Sequence, residues 1–339
     1  MPFAAIEVLP RFRLLDGASP FQRLERLSAA LGGRAELWMK REDLLPLAFG
    51  GNKLRNLEFL VGAALAEGAD TLVTAGRRWS NHCRLTAAAG AKAGLDVHLV
   101  LSGPPAPARD GGPSRNPGRV LDELLGATVH PLATADRTER EAAVARVEGE
   151  LRAAGRRPYV IPVGGTGLPG AAGQVLAAAE LVAQATAAGV AIDAVLVPSA
   201  TGGTQAGLLA GLRAAGSGAK VVGVVTARTE AELRPAIEST LAACTALTGV
   251  PVDPAAIVLD PSQLGGGYGV RSAAAEDAAR LLARTEGILV DPIYTAKALA
   301  GLVERVRAGR WDGRRIVFWH AGGMPGLFEP LDGDAATRG

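Results

Sequence analysis

Apolar positions follow two different periods along this chain. Residues 220–225 (KVVGVV) form a short apolar run rich in β-branched residues, which is typical of a buried strand, whereas apolar positions in residues 52–67 recur about every 3.6 residues, as in a helix. The same criteria predict strands at 35–40, 70–75, 96–101, 129–132, 158–162, 194–197, 288–291 and 315–319. They predict further helices at 80–94, 119–126, 137–154, 170–188, 205–215, 229–248 with a break near Pro235, 273–287 and 294–308.

Strands and helices therefore alternate along most of the chain. Such alternation indicates an α/β fold, in which helices join parallel strands and cover both faces of the sheet. A length of 339 residues suits two domains or one large α/β unit better than one typical core. We expect a surface loop at 103–118, which is rich in Pro, Gly and Arg, and a frayed tail at 332–339.

Composition and charge exclude several classes of function. Hydrophobic residues make up 48% of the chain, and 36 basic against 34 acidic residues leave a formal net charge of +2. This balance favours neither nucleic acid nor a membrane as a partner, and we find no signal peptide or membrane span. Cys83 and Cys244 lie far apart and match no metal spacing. We therefore expect no metal site, two buried reduced thiols and a cytoplasmic protein.

Lysine is rare in this chain, with five lysines against 31 arginines. Arginine cannot replace a lysine that acts as a neutral amine, because guanidinium does not deprotonate in proteins. Lys53 follows two glycines and Asn52, which can cap the helix predicted there. The positive end of that helix would lower the pKa of Lys53 and favour a nucleophilic amine. An ordinary exposed lysine is the competing interpretation.

Three further segments connect a strand to a helix, where open α/β sheets bind ligands. In residues 75–82, Ser80 can cap the helix and Asn81 can hydrogen-bond a planar ring substituent. In residues 198–205, backbone N–H groups, two glycines and three hydroxyls can hold a phosphate, although the GxxxxGK[ST] pattern of nucleotide hydrolases is missing. Residues 165–170 match GxGxxG, but no acidic residue follows at the ribose position, so a dinucleotide oxidoreductase is a distant hypothesis.

The C-terminal third adds polar aromatic residues at turns. Tyr268 stands between two glycines, Tyr294 follows the strand predicted at 288–291, and His320 lies at the end of the last strand. A tyrosine in an active site can transfer protons or stack on a ring, and packing is the competing role for both. The ordered set of lysine, Ser-Asn turn, glycine-rich loop and tyrosines suits one cofactor with an aldehyde, a ring and a phosphate.

In this order the motifs resemble the fold-type II enzymes that depend on pyridoxal 5′-phosphate (PLP). Among them they resemble the family of 1-aminocyclopropane-1-carboxylate (ACC) deaminase and D-cysteine desulfhydrase. The matching stretches cover nearly the whole chain: SPFQRL at 19–24, KRED at 40–43, GGNKLR at 50–55, SNH at 80–82, IPVGG at 161–165, TGGT at 201–204, YG at 268–269, DPIYT at 291–295 and HAGG at 320–323.

The resemblance implies a fold and a cofactor site. It implies two open twisted parallel-sheet domains, similar to the tryptophan synthase β fold, with PLP in the cleft: a large PLP-binding domain of residues 1–53 and 166–339, and a small inserted domain of residues 54–165. Lys53 resembles the lysine that holds PLP as a Schiff base and carries protons, and Asn81 the partner of the ring hydroxyl. The phosphate loop would be Ala200, Thr201, Gly202, Gly203 and Thr204. A homodimer is expected, since most family members are homodimers.

The resemblance also implies a substrate side, where a small amino acid would bind. Ser80, Tyr268 and Tyr294 resemble catalytic residues, with Ser80 beside the substrate carboxylate. Thr295 resembles the hydroxyl residue at the pyridine nitrogen of desulfhydrases, where ACC deaminases carry Glu. A hydroxyl leaves the ring neutral and suits β-elimination better than opening of a cyclopropane. Further substrate-binding residues are expected at Arg77, Trp79, Asn81, His82, Gly165 and Ala321.

Several positions depart from the family pattern. The turn at 76–79 usually reads Gly-Gly-apolar-Gln but is GRRW here, Gly167 replaces an expected Asn, and Ala321 replaces Thr or Leu. These changes lead to the hypothesis that Arg77 or Arg78 binds an extra anionic group such as a sulfonate, against the alternative of solvent-facing arginines.

The leading hypothesis is a PLP-dependent lyase that acts on a cysteine-like amino acid. It would release an α-keto acid, ammonia and sulfide or another β-leaving group. ACC deaminase is the second hypothesis, and a catalytically altered PLP-binding protein is a third from another class.

Overall fold

The computed structural model describes residues 2–104 and 116–331. Within these residues the strands are β1 (Phe21–Arg23), β2 (Glu36–Arg41), β3 (Thr71–Arg77), β4 (Asp96–Ser102), β5 (Thr128–Leu132), β6 (Pro158–Val160), β7 (Ala194–Ser199), β8 (Lys220–Val225), β9 (Val258–Asp260) and β10 (Arg315–His320). The α-helices are α1 (Ala4–Glu7), α2 (Glu25–Ala30), α3 (Lys53–Ala66), α4 (Asn81–Ala93), α5 (Pro117–Leu124), α6 (Arg137–Ala153), α7 (Ala171–Ala187), α8 (Gly203–Ala214), α9 (Glu230–Thr248), α10 (Ala273–Glu286) and α11 (Thr295–Arg307).

The strands form two separate sheets. The larger sheet has the strand order β1-β2-β10-β7-β8-β9, and the smaller sheet has the order β5-β4-β3-β6. β1 pairs antiparallel with β2, whereas the other neighbours pair in parallel. Parallel neighbours need crossover connections, which the intervening helices supply. The predicted α/β fold with two open parallel sheets is confirmed, with the addition of an antiparallel edge strand.

The larger sheet is buried on both faces. Along β10, Val317 and Trp319 belong to one apolar cluster while Ile316 and Phe318 belong to another, because successive side chains of a strand point to opposite faces. Helices α7 and α8 cover the first face, and α10 and α11 cover the second. A strand buried on both faces is a continuous apolar run, which explains why the pattern predicts β8 with its observed bounds.

Helix α3 crosses α7 at very close range. A Cβ atom at Gly173 of α7 would lie 1.9 Å from the carbonyl oxygen of Arg55, so the crossing requires glycine. Next to it, Gln174 Nε2 donates hydrogen bonds to the Asn52 carbonyl oxygen at 2.9 Å and to Asn56 Oδ1 at 2.6 Å. The first turn of α3 is thereby held against α7.

Two predictions from the sequence pattern are wrong. Residues 288–291 form no strand: Ile288 and Val290 are buried in the core, and the Asp291 carboxylate accepts hydrogen bonds from the N–H groups that open α11. Helix α9 runs unbroken through Pro235. A capping box at Thr229 and a buried apolar face outweigh the one backbone hydrogen bond that proline removes.

The remaining expectations concern the thiols and the chain segments outside these elements. Cys83 and Cys244 are free and buried as expected, and burial raises the pKa of both thiols to about 12. Most of the loop expected at 103–118, and all of the tail expected at 332–339, lies outside the described residues. Among the described helices, none is long and apolar enough to cross a membrane.

Candidate active site

A cavity of about 490 Å³ lies where strands of the two sheets end. Its walls include the end of β3, the turn after β7 and the turns after β8 and β10, so both sheets contribute their carboxyl ends. Cavities of this size bind small molecules, and strand ends are the usual place for them in open α/β sheets.

Lys53 is the first residue of α3 and lines this cavity. The preceding Gly50 and Gly51 have φ values of 65° and 132°, which favour glycine. The expected cap at Asn52 is wrong: its side chain does not cap α3, and Nδ2 instead donates a hydrogen bond to Thr204 Oγ1 at 2.8 Å. Asn52 therefore ties the lysine turn to the first turn of α8.

The Lys53 amine has an environment suited to a nucleophile. Burial lowers its pKa from 10.5 to about 8, and no described residue forms a hydrogen bond or an ion pair with its Nζ. The expected direction of the shift is confirmed, but its cause is desolvation rather than the helix dipole. A lysine near this pKa has a substantial neutral fraction at neutral pH.

The Ser-Asn-His turn forms the adjacent wall. Ser80 caps α4 as predicted, because its Oγ accepts a hydrogen bond from Cys83 N at 3.2 Å. The Thr74 hydroxyl donates to the Ile161 carbonyl at 2.8 Å and lies 3.0 Å from His82 Nε2. His82 Nε2 must then carry the proton, which leaves Nδ1 as a buried acceptor with no partner among the described residues. Burial and the charge of Lys53 lower the pKa of His82 to about 3, so this histidine is neutral.

The glycine-rich turn before α8 has the shape of an anion site. Gly202 adopts φ 86°, and a Cβ atom there would lie 2.4 Å from Ile237 Cγ1, so glycine is required. Thr166 Oγ1 donates to Thr201 Oγ1 at 2.8 Å, which links this turn to the segment that follows β6. Ala200, Thr201, Gly202 and Thr204 line the cavity, at the N-terminus of the twelve-residue helix α8. Unpaired N–H groups at such a helix end bind phosphate.

Two tyrosines lie together on the opposite wall. The hydroxyl groups of Tyr268 and Tyr294 are hydrogen-bonded to each other, with ring centroids 5.8 Å apart, and both residues line the cavity. Burial raises the pKa of both phenols. The pair therefore stays protonated at neutral pH and can donate a proton.

The GRRW turn divides its two arginines between different roles. Arg77 lines the cavity, and its guanidinium carbon lies 5.0 Å from the centre of the Trp79 ring. Arg78 packs over the same ring at 4.4 Å but is buried and donates to the Pro330 carbonyl at 2.7 Å. Arg78 neither lines the cavity nor faces solvent, so the hypothesis of an anion partner is retained for Arg77 and is wrong for Arg78.

Most residues singled out from the sequence surround this cavity. Those that line it are Lys53, Arg77, Ser80, Asn81, His82, Ala200, Thr201, Gly202, Thr204, Tyr268, Tyr294 and Ala321. Four others do not line it: Trp79, Gly165, Gly203 and Thr295. Thr295 was expected at the pyridine nitrogen, but it is fully buried and its hydroxyl donates to the Asp291 carboxylate. Trp79 packs edge-on against the Tyr268 ring, with the ring centroids 5.8 Å apart. It therefore supports Tyr268 without lining the cavity itself.

Four charged cavity residues escaped the sequence interpretation: Arg137, Arg140, Arg228 and Glu232. Arg228 lies in the turn directly after β8, between Val225 and the start of α9. The rule that ligands bind at strand ends would have singled out this turn. Arg137 and Arg140 lie in the first turns of α6, one connection after β5, and no local motif marks them.

Comparison with known proteins agrees with this geometry. Residues 12–322 match the family of pyridoxal-phosphate dependent enzymes. The chain is 40% identical over 332 residues to D-cysteine desulfhydrase of Salmonella typhi, over 97% of this chain and 98% of that protein. It is similar to the crystal structure of an ACC deaminase homologue, with TM-score 0.86 and 34% identity over 96% of this chain and 95% of that one. Threonine deaminase isoform 2 from Solanum lycopersicum, at 18% identity and TM-score 0.67 over 95% and 83% of the two chains, shares the fold.

These findings confirm the fold type, the cofactor and the family implied by the sequence motifs. The chain belongs to the family of pyridoxal-phosphate dependent enzymes.

Proposed function

We propose that this chain is a lyase that eliminates the β-substituent of a small, cysteine-like amino acid and releases an α-keto acid and ammonia. The observation that carries the proposal is Lys53, an amine without a partner in the described part of the chain, which lines a cavity beside a phosphate-binding helix end. The 40% identity to a D-cysteine desulfhydrase supports this substrate type.

The cavity residues fit PLP. Lys53 would hold the cofactor aldehyde, the turn from Ala200 to Thr204 its phosphate, and Asn81 its ring hydroxyl. A side chain at Gly202 would clash with Ile237, so glycine is needed for the shape of the turn at the helix N-terminus where a phosphate would bind. When bound, PLP supplies an electron sink that stabilises negative charge at the α-carbon of an amino acid.

Two opposite walls of the cavity supply the groups that transfer protons: Lys53 lies on one, and Tyr268 and Tyr294 lie on the other. Lys53 takes the proton from the α-carbon, since its pKa of about 8 allows both protonation states at neutral pH. Ser80 Oγ accepts the Cys83 N–H, so its own proton is available to the substrate carboxylate. As the bond from the β-carbon to sulfur breaks, the electron pair leaves with sulfur, which takes a proton from the pair Tyr268 and Tyr294. Water then converts the released enamine into an α-keto acid and ammonium.

The organisation of the chain is part of the same proposal. We propose a small domain of residues 54–165 inserted in a large domain of residues 1–53 and 166–339. The four strands of the smaller sheet all lie between residues 71 and 160, which supports this division. On the family resemblance we also propose a homodimer and a cytoplasmic location.

ACC deaminase is the second candidate, because a solved ACC deaminase homologue is 34% identical. The 40% identity to a D-cysteine desulfhydrase favours elimination over ring opening. The Thr295 hydroxyl favours neither reaction, because it donates to the Asp291 carboxylate and does not line the cavity. A third candidate is a PLP-binding protein with altered chemistry, which the unusual GRRW turn favours.

An assay of purified protein separates these candidates. Ammonia, pyruvate and sulfide or sulfite would be measured with D-cysteine, L-cysteine and cysteate, and 2-oxobutanoate with ACC. Pyruvate with sulfide from a cysteine, or with sulfite from cysteate, supports the lyase, whereas turnover of ACC alone would favour the deaminase. A protein that binds PLP but converts none of these compounds would support the third candidate. Lys53→Ala should lower turnover by several orders of magnitude, and Lys220→Ala, at an exposed lysine at the start of β8, is the matched control.

A further inference from the structure

Four arginines line the same cavity and give it an excess of positive charge. They come from both sides of the cleft: Arg77 ends β3 of the smaller sheet, Arg137 and Arg140 open α6, and Arg228 follows β8 of the larger sheet. Glu232 is the acidic residue among the described cavity residues. Burial and the nearby charges of Arg137 and Arg140 lower the pKa of Arg228, which means that these guanidinium groups are close enough to repel one another.

The nearby carboxylates are largely engaged elsewhere. Glu232 Oε2 accepts hydrogen bonds from Thr229 N at 2.8 Å and Thr229 Oγ1 at 2.6 Å, as the capping box of α9. Glu141 accepts a hydrogen bond from Arg137 Nε at 2.7 Å on the exposed side of α6. Neither carboxylate forms a salt bridge with Arg140 or Arg228.

Arg140 and Arg228 therefore hold excess charge. Arg140 Nη1 has a long hydrogen bond to Ser102 Oγ at 3.4 Å, and its buried Nε has no hydrogen-bond partner among the described residues. Arg228 is half-buried and forms no hydrogen bond or salt bridge within residues 2–104 and 116–331. Partly buried guanidinium groups without carboxylate partners are unfavourable unless an anion completes the site.

The phosphate of PLP has its own donors at the N-terminus of α8, where Thr201 and Thr204 add hydroxyl groups. The arginines of β3 and α6 belong to the smaller sheet and its helices. A second anion in the cavity would match the charge of Arg140 and Arg228.

We propose that Arg77, Arg140 and Arg228 form an anion subsite for the β-substituent of the substrate. The substrate class is a small amino acid with a compact oxyanion on its β-carbon, of which the β-sulfonate cysteate is the representative. This inference rests on the proposed lyase function and names its substrate class.

The subsite would assist the elimination directly. Lys53 takes the α-proton, the bond between the β-carbon and sulfur breaks, and the electron pair leaves with the sulfonate as sulfite. The guanidinium groups stabilise the negative charge of the departing sulfite. The released enamine takes up water and yields pyruvate and ammonium, so cysteate and water give pyruvate, sulfite and ammonium with no change of overall redox state.

The first experiment measures binding without turnover. Isothermal titration of the holoenzyme compares 3-sulfopropanoate with propanoate, which lacks the second anion; neither has an amino group, so neither can react. We expect 3-sulfopropanoate to bind at least about tenfold more tightly, in line with charge-assisted hydrogen bonds. Arg140→Ala and Arg228→Ala should each remove most of this preference. Arg146→Ala removes an exposed arginine of α6 that pairs with Glu150 and should keep the preference.

Equal affinity for the two probes in the parent enzyme would overturn the proposal, as would an equal loss of preference in Arg146→Ala. Arg228→Gln and Arg140→Lys give second variants should an alanine variant fail to fold, which circular dichroism would show. Arg140→Lys keeps the charge and should keep part of the preference.

The second experiment separates the two sources of anion. PLP affinity is measured by titration of the PLP-free protein. A loss of PLP affinity in the arginine variants as large as the loss of 3-sulfopropanoate affinity assigns the arginines to the cofactor phosphate and overturns the proposal. Turnover of cysteate and cysteine is then compared; a cysteate-to-cysteine ratio of kcat/KM that falls about tenfold or more in Arg228→Ala supports the subsite. Should no amino acid be converted while the binding preference exists, the subsite stands and the lyase proposal fails.

Discussion

Lys40 and Lys53 are two enclosed lysines with opposite surroundings. Lys40 is fully buried, and its Nζ donates to the Ser19 carbonyl at 2.7 Å and to Gln184 Oε1 at 2.6 Å and pairs with Glu180. Burial lowers the pKa of Lys40, but the charge of Glu180 opposes the shift. The Lys53 amine faces a cavity without any such partner in the described residues. A buried lysine with all three protons bonded is structural, whereas one left without partners is available for chemistry.

The two regions are connected through Arg55. It lies two residues after Lys53 on α3, and its guanidinium donates to Glu42 Oε2 at 2.7 Å and to Glu180 Oε2 at 2.8 Å. Although burial opposes it, these carboxylates raise the pKa of Arg55 above its usual value. The network thus fixes the first turn of α3 and holds Lys53 at the cavity wall without contacting its amine.

The largest effect should follow removal of the Lys53 amine. Lys53→Ala should lower kcat/KM by roughly 10²- to 10⁴-fold, because the group that transfers the α-proton is gone. Steady-state kinetics would measure the loss. Lys92→Ala, at an exposed lysine of α4, is the control and should stay within a small factor of the parent. Activity of Lys53→Ala near that of the parent would remove Lys53 from the chemistry.

Removing Glu180 should damage the Lys40 region instead. Glu180→Ala leaves Lys40 and Arg55 without their shared carboxylate, and breaking one partner of a buried ion pair costs about 3 kcal/mol. Urea unfolding would show the loss as a lower midpoint. Glu150→Ala breaks the exposed pair with Arg146 and should cost under about 0.5 kcal/mol. Equal shifts for the two variants would contradict the structural role of the network.

The pH dependence of labelling should distinguish the Lys53 amine from ordinary lysines. In PLP-free protein, acylation of Lys53 should rise with pH and level off above about 8, where its amine is neutral. The pKa of Lys53 in the folded chain, about 8, lies below its unfolded value of 10.5. Between these pH values the unfolded chain binds more protons than the folded chain. The free energy of unfolding therefore rises with pH through this range. Peptide mapping by mass spectrometry gives the profile; a midpoint above 10 would show an unperturbed amine.

The smallest effect concerns a third enclosed lysine. Lys297 in α11 donates to the carbonyl oxygens of Leu264 and Gly267, both at 2.8 Å, just before Tyr268. Burial lowers its pKa to about 8, yet its amine has partners, so it belongs with Lys40. Lys297→Met should cost about 1–2 kcal/mol of stability through the two unpaired carbonyls. Thermal unfolding would measure this loss of stability. Loss of covalent PLP binding in Lys297→Met would contradict the structural role of Lys297.

The sequence predicts the parts of the fold that depend on local pattern. Helix α10 has an amphipathic period, helix α6 is a long polar segment with a single glycine and no proline, and strand β8 is a continuous apolar run. All three appear within about one residue of their predicted bounds. The strands β1 and β9 have three residues each, too few for a period to show. Ile288 and Val290 are apolar because they pack in the core, and apolarity alone does not distinguish a buried loop from a strand.

The candidate site also contains residues that local sequence predicts and contacts that it does not. Ser80 and Gly202 are recognisable because a cap and a turn require their residue types. Lys53 is recognisable because lysine is rare in this chain and arginine cannot act as a neutral amine. The Thr204 partner of Asn52 is set by packing between α3 and α8, which local pattern does not contain. Thr295 bonds to Asp291 only four residues earlier, but its expected place at the cofactor came from the family resemblance and not from a local pattern. Arg140 and Arg228 are 88 residues apart in the chain and meet at one cavity only because the two sheets place their strand ends together.

The most direct test of Lys53 as the cofactor lysine is the position of the covalent cofactor. Holoenzyme would be reduced with borohydride, digested and mapped by mass spectrometry for the residue that carries the phosphopyridoxyl group. We predict modification of Lys53, with none on Lys40 or Lys297. Modification of either of those lysines in place of Lys53, or a protein that retains no phosphopyridoxyl group after reduction, would contradict this role of Lys53.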